Sequence, residues 1–198
     1  MHMEETLESR IPRAQLRELM LARRAQIGGE IRSAHDRAIR TAVAEQPPVK
    51  AARVLAVYWP IRGEPDLRPL AAGWRAQGKT LALPVMGGPN GGLLFCAWQD
   101  DADLAMGPFG IPVPSDRAPL HPDCLVMPCV AFTVARGRPW RLGYGAGYYD
   151  KTLAHRPVPA VGIAYDEVHT DQFEPSAMDA PLSLLVTPSR VIDSIASP

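Results

Sequence analysis

From Pro12 to Ala44 the apolar positions recur at helical spacing. Leu16, Leu19, Met20 and Ile27 fall roughly on one face, with Arg13, Arg17, Arg23 and Arg24 around them. Pro12 suits the entry to a first helical turn. Gly28-Gly29 predicts a break into two helices, and Gln46-Pro47-Pro48 predicts the end of the helical region. Beyond it the texture changes to short, continuous apolar runs of the kind that strands buried on both faces display. Arg53–Tyr58, Thr80–Leu83 (stopped by Pro84), Leu93–Trp98, Cys124–Met127, Ala160–Ala164 and Leu184–Val186 are the predicted strands. Leu67–Ala76, closed by Gly78, and Tyr148–Ala154 are the predicted helices between them. Buried strands alternating with helices imply an α/β fold with a mostly parallel sheet, layered α/β/α, with helices leading at the N-terminus. No internal repeat or low-complexity linker interrupts the pattern, so residues 1–198 are expected to form one domain.

Composition narrows the function classes. Lys plus Arg equals Asp plus Glu, at 21 each, so the formal net charge is zero and nothing global draws the chain to nucleic acid or to a membrane surface. Any anion must be bound by a local cluster. No apolar run reaches the length of a membrane span. The segment MHMEETLESR lacks the apolar centre of a signal peptide, and its acidic residues argue against a transit peptide. Cys96, Cys124 and Cys129 are an odd number without close spacing, and they lie in or beside apolar runs. They read as buried thiols in a reducing compartment, so a cytoplasmic protein is expected. His35, His121, His155 and His169 show no metal-ligand spacing.

The strongest local signal is Arg141-Leu142-Gly143-Tyr144-Gly145-Ala146-Gly147-Tyr148-Tyr149-Asp150. Alternating glycines let a backbone approach phosphate and turn several N–H groups toward it, and a following helix N-terminus adds partial positive charge. Arg141 has the fork geometry for phosphate oxygens. Tyr148 stands where a dinucleotide fingerprint needs glycine, and no Gly-Lys-Ser/Thr follows, so neither that fingerprint nor a P-loop is present. On spacing alone a tight glycine turn, with Asp150 complementing a helix dipole, is the competing reading.

The segment RLGYGAGYYD resembles the signature of the 5-formyltetrahydrofolate cyclo-ligase family, also called methenyltetrahydrofolate synthetases. Further segments resemble the family in its order: Arg13-Ala-Gln-Leu-Arg17, Tyr58-Trp-Pro-Ile-Arg-Gly-Glu64-Pro-Asp66, Gly78–Pro84, Gly110–Pro114 and Met127–Phe132. The resemblance covers roughly Arg13 to Thr187. It departs at Thr133, where the family usually has Asp, at Arg13, where Lys is usual, and in a longer stretch from Thr133 to Trp140 containing Arg138-Pro-Trp140. It implies a topology like that of the ribose-5-phosphate isomerase and CoA-transferase-like group. It implies ATP- and Mg²⁺-dependent closure of 5-formyltetrahydrofolate to 5,10-methenyltetrahydrofolate, by a monomer or small homo-oligomer. The residue roles it implies are these. Arg141 and Tyr149 serve catalysis. Arg13, Arg17, Arg141 and the run Leu142, Gly143, Tyr144, Gly145, Ala146, Gly147, Tyr148 and Tyr149 hold the nucleotide. Trp59, Glu64, Tyr148 and Tyr149 hold the folate, and Asp150 and Asp179 hold the metal. A binding-only folate or nucleotide paralogue and a sugar-phosphate isomerase are the alternatives from other classes; the second lacks an evident acid–base pair.

Overall fold

The structure is a computed structural model that describes residues 11–99 and 104–194. The helical region opens as expected. Helix α1 spans Arg13–Ala25 and α2 spans Gly29–Ala44, divided at Gly28. The prolines at 47 and 48 do not end the region; they open a further short helix, α3 (Pro47–Ala51). A proline in the first turn loses no helix bond because its N–H would have had no partner there. Strand β1 (Val54–Ala56) follows. The Leu67–Ala76 segment is a 3-10 turn, Arg68–Leu70, running into α4 (Ala71–Ala76). The Asp66 carboxylate bonds the Arg68 amide at its start.

Strand β2 (Thr80–Met86) runs through Pro84 rather than stopping there. Its partner β1 pairs only as far as Ala82, whereas β3 (Leu93–Ala97) pairs antiparallel from Ala82 to Met86. Leu81 bonds toward β3 and Ala82 toward β1, so by alternation the missing Pro84 N–H faces the side where β1 has already ended. Strands β4 (Leu104–Met106) and β5 (Pro112–Pro114) form a separate hairpin. They are followed by β6 (Pro119–Leu120) and β7 (Cys124–Pro128). Strands β8 (Ala131–Ala135) and β9 (Arg138–Leu142) form a second separate hairpin. Its two turn residues, Arg136 and Gly137, have φ of 55° and 69°, the sign pattern of a type I′ turn, whose twist matches that of the flanking strands. The long Thr133–Trp140 stretch is this hairpin. Helix α5 (Tyr148–His155), β10 (Ala160–Ile163), β11 (Leu184–Val186) and β12 (Val191–Asp193) complete the chain.

The main sheet has eight strands in the order β12-β11-β10-β7-β1-β2-β3-β6 among the described residues. Neighbours from β11 to β2 are parallel, and the outer strands join antiparallel. Alternate residues of the central strands feed two buried clusters. Leu55, Leu81, Leu83, Val126, Val161 and Ile163 pack with residues of α2, α3 and α4. Ala56, Ala82, Leu125, Met127 and Ala160 pack with Leu16 and Met20 of α1 and Leu153 of α5. The period of two thus buries both faces, giving the three α/β/α layers. Cys96, Cys124 and Cys129 are buried free thiols. Among the described residues no helix is long and apolar enough to cross a membrane.

Candidate active site

The chain winds from β1 to β2 in one direction and from β7 through β10 to β11 in the other, so the sheet reverses its strand order between β1 and β7. A crevice opens beyond the carboxyl ends of strands at such a point. The segment after β1 carries Trp59 and Glu64, and the segment after β7 carries Cys129 and leads into the β8–β9 hairpin. The hairpin returns Arg141 and the glycine loop to the same end.

Helix α1 supplies three arginines to this end. At 100° per residue Arg13, Arg17 and Arg24 fall within roughly 40° of one another, beside the buried Leu16 and Met20. Each does something different. Arg13 holds Asp179 with both terminal guanidinium nitrogens, at 3.0 and 2.7 Å, and also bonds the Glu174 carbonyl. The hydrogen bond to Asp179 raises the Arg13 pKa against the effect of burial. Arg17 donates Nε to the Gly143 carbonyl at 2.7 Å. Burial and the nearby Arg13 charge lower its pKa. Arg24 is only 1% exposed. Its three nitrogens bond the Arg62 carbonyl, the Cys129 carbonyl and the Tyr144 hydroxyl at 3.1, 3.1 and 2.8 Å. One buried side chain thereby ties the β1 loop, the β7 end and the glycine loop together. Sequence reasoning assigned Arg24 no role; its spacing of seven from Arg17 was the available signal.

The glycine loop runs from the end of β9 to α5. Gly145 and Gly147 have φ of 112° and 68°, backbone positions that favour glycine. No side chain caps α5, which leaves its first-turn amides available to an anion. The Arg17 guanidinium carbon lies 3.3 Å from where a Cβ on Gly145 would stand, and Arg141 Nη1 lies 2.8 Å from the same position on Gly143. Lys151 donates Nζ to the Ala146 carbonyl. Three cations therefore border a five-residue loop.

Arg141 is 6% exposed. Its guanidinium lies 4.8 Å over the Tyr149 ring, and Nη2 meets the Asp150 carboxylate at 3.3 Å. Its Nε is buried without a hydrogen-bond partner, an unmet donor of the kind that marks a ligand site. Tyr149 lies beneath it, and burial raises its phenol above the ordinary range. Tyr148 faces Lys151.

Glu64 is 4% exposed. Arg62 and Gly63, both at positive φ, turn the chain so that the Glu64 carboxylate folds back. One oxygen accepts from the Ile61 amide at 2.9 Å and the other from the Tyr144 hydroxyl at 2.7 Å. Burial drives its carboxyl above the ordinary value; the Ile61 amide, the Tyr144 hydroxyl and the Arg24 and Arg62 charges draw it partway back. Trp59 is set apart from this cluster. It packs edge-on against Trp98 and under Arg68, half-buried against the core of the α2–α4 face rather than beside Tyr149.

The two expected metal carboxylates differ. Asp179 already takes Arg13 on both oxygens and the Ser176 amide and hydroxyl on one. Asp150 accepts one bond on each oxygen, from Ala180 N and from Arg141, so each keeps acceptor capacity. Magnesium on phosphates asks for only one or two carboxylates, which Asp150 fits. Among the described residues no group of three or more His, Cys, Asp or Glu is arranged to hold a metal by itself.

Residues 10–188 match the 5-formyltetrahydrofolate cyclo-ligase family. The chain belongs to that family. It is 38% identical over 155 residues to the 5-formyltetrahydrofolate cyclo-ligase of Escherichia coli, covering 73% of this chain and 83% of that one. The protein of the same name from Haemophilus influenzae is 31% identical over 142 residues, covering 67% and 74%. Among solved structures, the 5,10-methenyltetrahydrofolate synthetase of Aquifex aeolicus superposes with a TM-score of 0.81 at 29% identity, over 95% of each chain. The Mycoplasma pneumoniae protein of that name shares the fold, with a TM-score of 0.69 at 24% identity over 90% and 99% of the two chains.

Proposed function

We propose that the protein catalyses the ATP- and Mg²⁺-dependent conversion of 5-formyltetrahydrofolate to 5,10-methenyltetrahydrofolate, ADP and phosphate. The observation that carries this reading most directly is the buried Arg141, with its Nε unsatisfied beneath a glycine loop, at the same sheet end as the buried carboxylate of Glu64. One feature suits a polyphosphate and the other the amino and ring N–H groups of a pterin.

In this reaction the formyl oxygen on N5 attacks the γ-phosphorus and ADP leaves, so a poor leaving oxygen becomes a phosphate. The N10 lone pair then forms the new bond to the formyl carbon, the carbon–oxygen bond breaks, phosphate departs and N10 loses its proton. The protein's part is alignment and charge stabilisation. Arg17 and Arg141 meet phosphate oxygens, and the amides of Gly145, Gly147 and the first turn of α5 add fixed donors. Arg13, already committed to Asp179, anchors α1 so that Arg17 stays at the loop. Tyr149 supports the Arg141 guanidinium from below, and Tyr148 offers an aromatic edge to the folate. Asp150 is the carboxylate toward Mg²⁺, which neutralises phosphate charge when bound. A zero net charge and three buried thiols suit a reducing cytoplasm, and the protein acts as a monomer or small homo-oligomer.

The experiment is to mix wild type and Asp150→Asn with 5-formyltetrahydrofolate and ATP across a Mg²⁺ titration, following the methenyl chromophore. Wild type turns over. The variant loses turnover by orders of magnitude, in part recovered at high Mg²⁺, with folate affinity and Tm little changed. No turnover in wild type makes the chain a binding protein, and normal turnover in the variant returns Asp150 to Arg141 and the helix end.

A further inference from the structure

Each carboxylate oxygen of Glu64 accepts one hydrogen bond. The Ile61 amide takes one oxygen at 2.9 Å, and the Tyr144 hydroxyl takes the other at 2.7 Å. Tyr144 is not part of the Glu64 loop; it lies on the glycine loop, 80 residues away in sequence. Arg24 Nη2 donates to the phenol oxygen at 2.8 Å, so the phenol proton is directed to Glu64. Tyr144 is 39% exposed, with the Arg62 guanidinium 5.6 Å from the centre of its ring. An exposed side chain that covers a buried carboxylate is a lid over it. The same loop is held on each side of Tyr144 by a cation spent on a backbone carbonyl, Arg17 on Gly143 and Lys151 on Ala146. Neither cation forms an ion pair with a carboxylate among the described residues.

We propose that the Tyr144 hydroxyl occupies the position on Glu64 that a pterin N–H takes, and that nucleotide binding releases it. Phosphates draw Arg17 and Lys151 off the loop carbonyls, the loop lets go of Glu64, and the folate site opens. Tyr144 is thus a positioning residue that makes the nucleotide and folate sites help each other. The proposal rests on the assignment of Glu64 to the pterin. Physically it is a population shift. A site that is covered part of the time has its affinity lowered by the covered fraction, and whatever uncovers it restores that affinity. By linkage folate then tightens the nucleotide by the same factor.

The removal of one oxygen separates this from other roles. Tyr144→Phe keeps the ring against Arg62, and Arg24 keeps its two carbonyl partners. Affinity for 5-formyltetrahydrofolate is measured by calorimetry, with and without saturating MgADP, so no chemistry intervenes. In wild type MgADP tightens folate severalfold. In Tyr144→Phe folate binds about tenfold tighter without nucleotide, the lower end for one hydrogen bond to a charged group, and MgADP adds little. Tm within a few degrees of wild type shows that the variant is folded. Weaker folate binding in Tyr144→Phe makes the phenol a folate contact and overturns the proposal. Equal nucleotide coupling in the two proteins overturns it as well. Glu64→Gln, measured alongside, distinguishes the two layers. If it leaves folate affinity unchanged, Glu64 does not hold the pterin and both readings fall. If it weakens folate while Tyr144→Phe changes nothing, only the lid falls.

Discussion

The two faces of the central sheet are built to different rules. Toward α2, α3 and α4 the strands present Leu55, Leu81, Leu83, Val161 and Ile163, and the packing is mainly apolar, with the Tyr58 and Tyr165 hydroxyls bonded to the Pro65 carbonyl and to Asp36. Toward α1, α5 and the β8–β9 hairpin β1, β2 and β10 present Ala56, Ala82, Ala160 and Gly162, beside Leu125, Met127 and Leu185 of β7 and β11, and this layer holds the buried Arg24 and Arg141. Large branched residues on the first face bury area and contribute stability. The small residues of β1, β2 and β10 on the second face leave room for helix α1 and the segments around Cys129 and Leu182 to lie against those strands. A Cβ on Gly162 would stand 2.5 Å from Leu182 Cδ1 and 3.2 Å from Cys129 Sγ. One face keeps the fold, and the other is shaped around charges that the fold must carry.

The test with the largest expected effect strikes the charged face directly. Arg141→Ala removes a buried guanidinium and should cost about 2–5 kcal/mol of nucleotide interaction, as truncating a desolvated charge contact does. Steady-state turnover against ATP concentration checks it. Unchanged values confine Arg141 to holding Asp150 and Tyr149. Next comes a matched pair across the sheet. Leu55→Ala should cost about 2–5 kcal/mol of stability through a cavity, with both Michaelis constants unmoved below the transition. Gly162→Ala should cost about 1–3 kcal/mol through overpacking. It should also raise the folate Michaelis constant, because Cys129, which it pushes, holds Arg24 through its carbonyl. Denaturant melts and kinetics on both variants decide it; equal kinetic effects erase the division between the faces. The smallest effect concerns the rim. Burial pulls the Asp179 carboxyl up, but the hydrogen bonds from Arg13 and Ser176 outweigh it and hold it below the ordinary range. A depressed carboxyl contributes stability above its unfolded value and loses it as pH falls through the folded one. Asp179→Asn should therefore lower stability by under about 1 kcal/mol at neutral pH. The gap to wild type should close in acid. Melts from neutral pH down to below the carboxylate range measure it, and a gap that persists in acid assigns the effect to packing.

The central strands were legible in the sequence because both their faces are buried. Cys124–Met127, Ala160–Ala164 and Leu184–Val186 read as unbroken apolar runs, and they are strands within a residue or so. The hairpins were not legible. Pro112–Pro114 and Arg138–Leu142 carry prolines and arginines that mask the alternation, and their pairing depends on a partner strand rather than on their own pattern. Pro84 misled for a related reason: whether a proline ends a strand depends on what lies across from its nitrogen. The site divides in the same way. Arg17, Arg141 and the glycines stand out by residue type. Arg24 has no motif around it, and its role comes from its burial against two carbonyls and a phenol. Tyr144 read as part of a nucleotide loop, and its bond to Glu64 joins residues 80 apart.

The β8–β9 hairpin works as a counter. Its type I′ turn at Arg136–Gly137 sets Phe132 opposite Arg141 and Thr133 opposite Trp140. Side chains along a strand alternate like even and odd numbers. A change of one residue between the turn and Arg141 would reverse parity, putting Leu142 or Trp140 where the guanidinium belongs while leaving a well-formed hairpin. A change of two would restore the parity. Length in this arm is therefore a discrete variable: the chain can lengthen or shorten here in even steps and keep its arginine on the proper side, which makes an apparently irregular loop a digital setting of the active site.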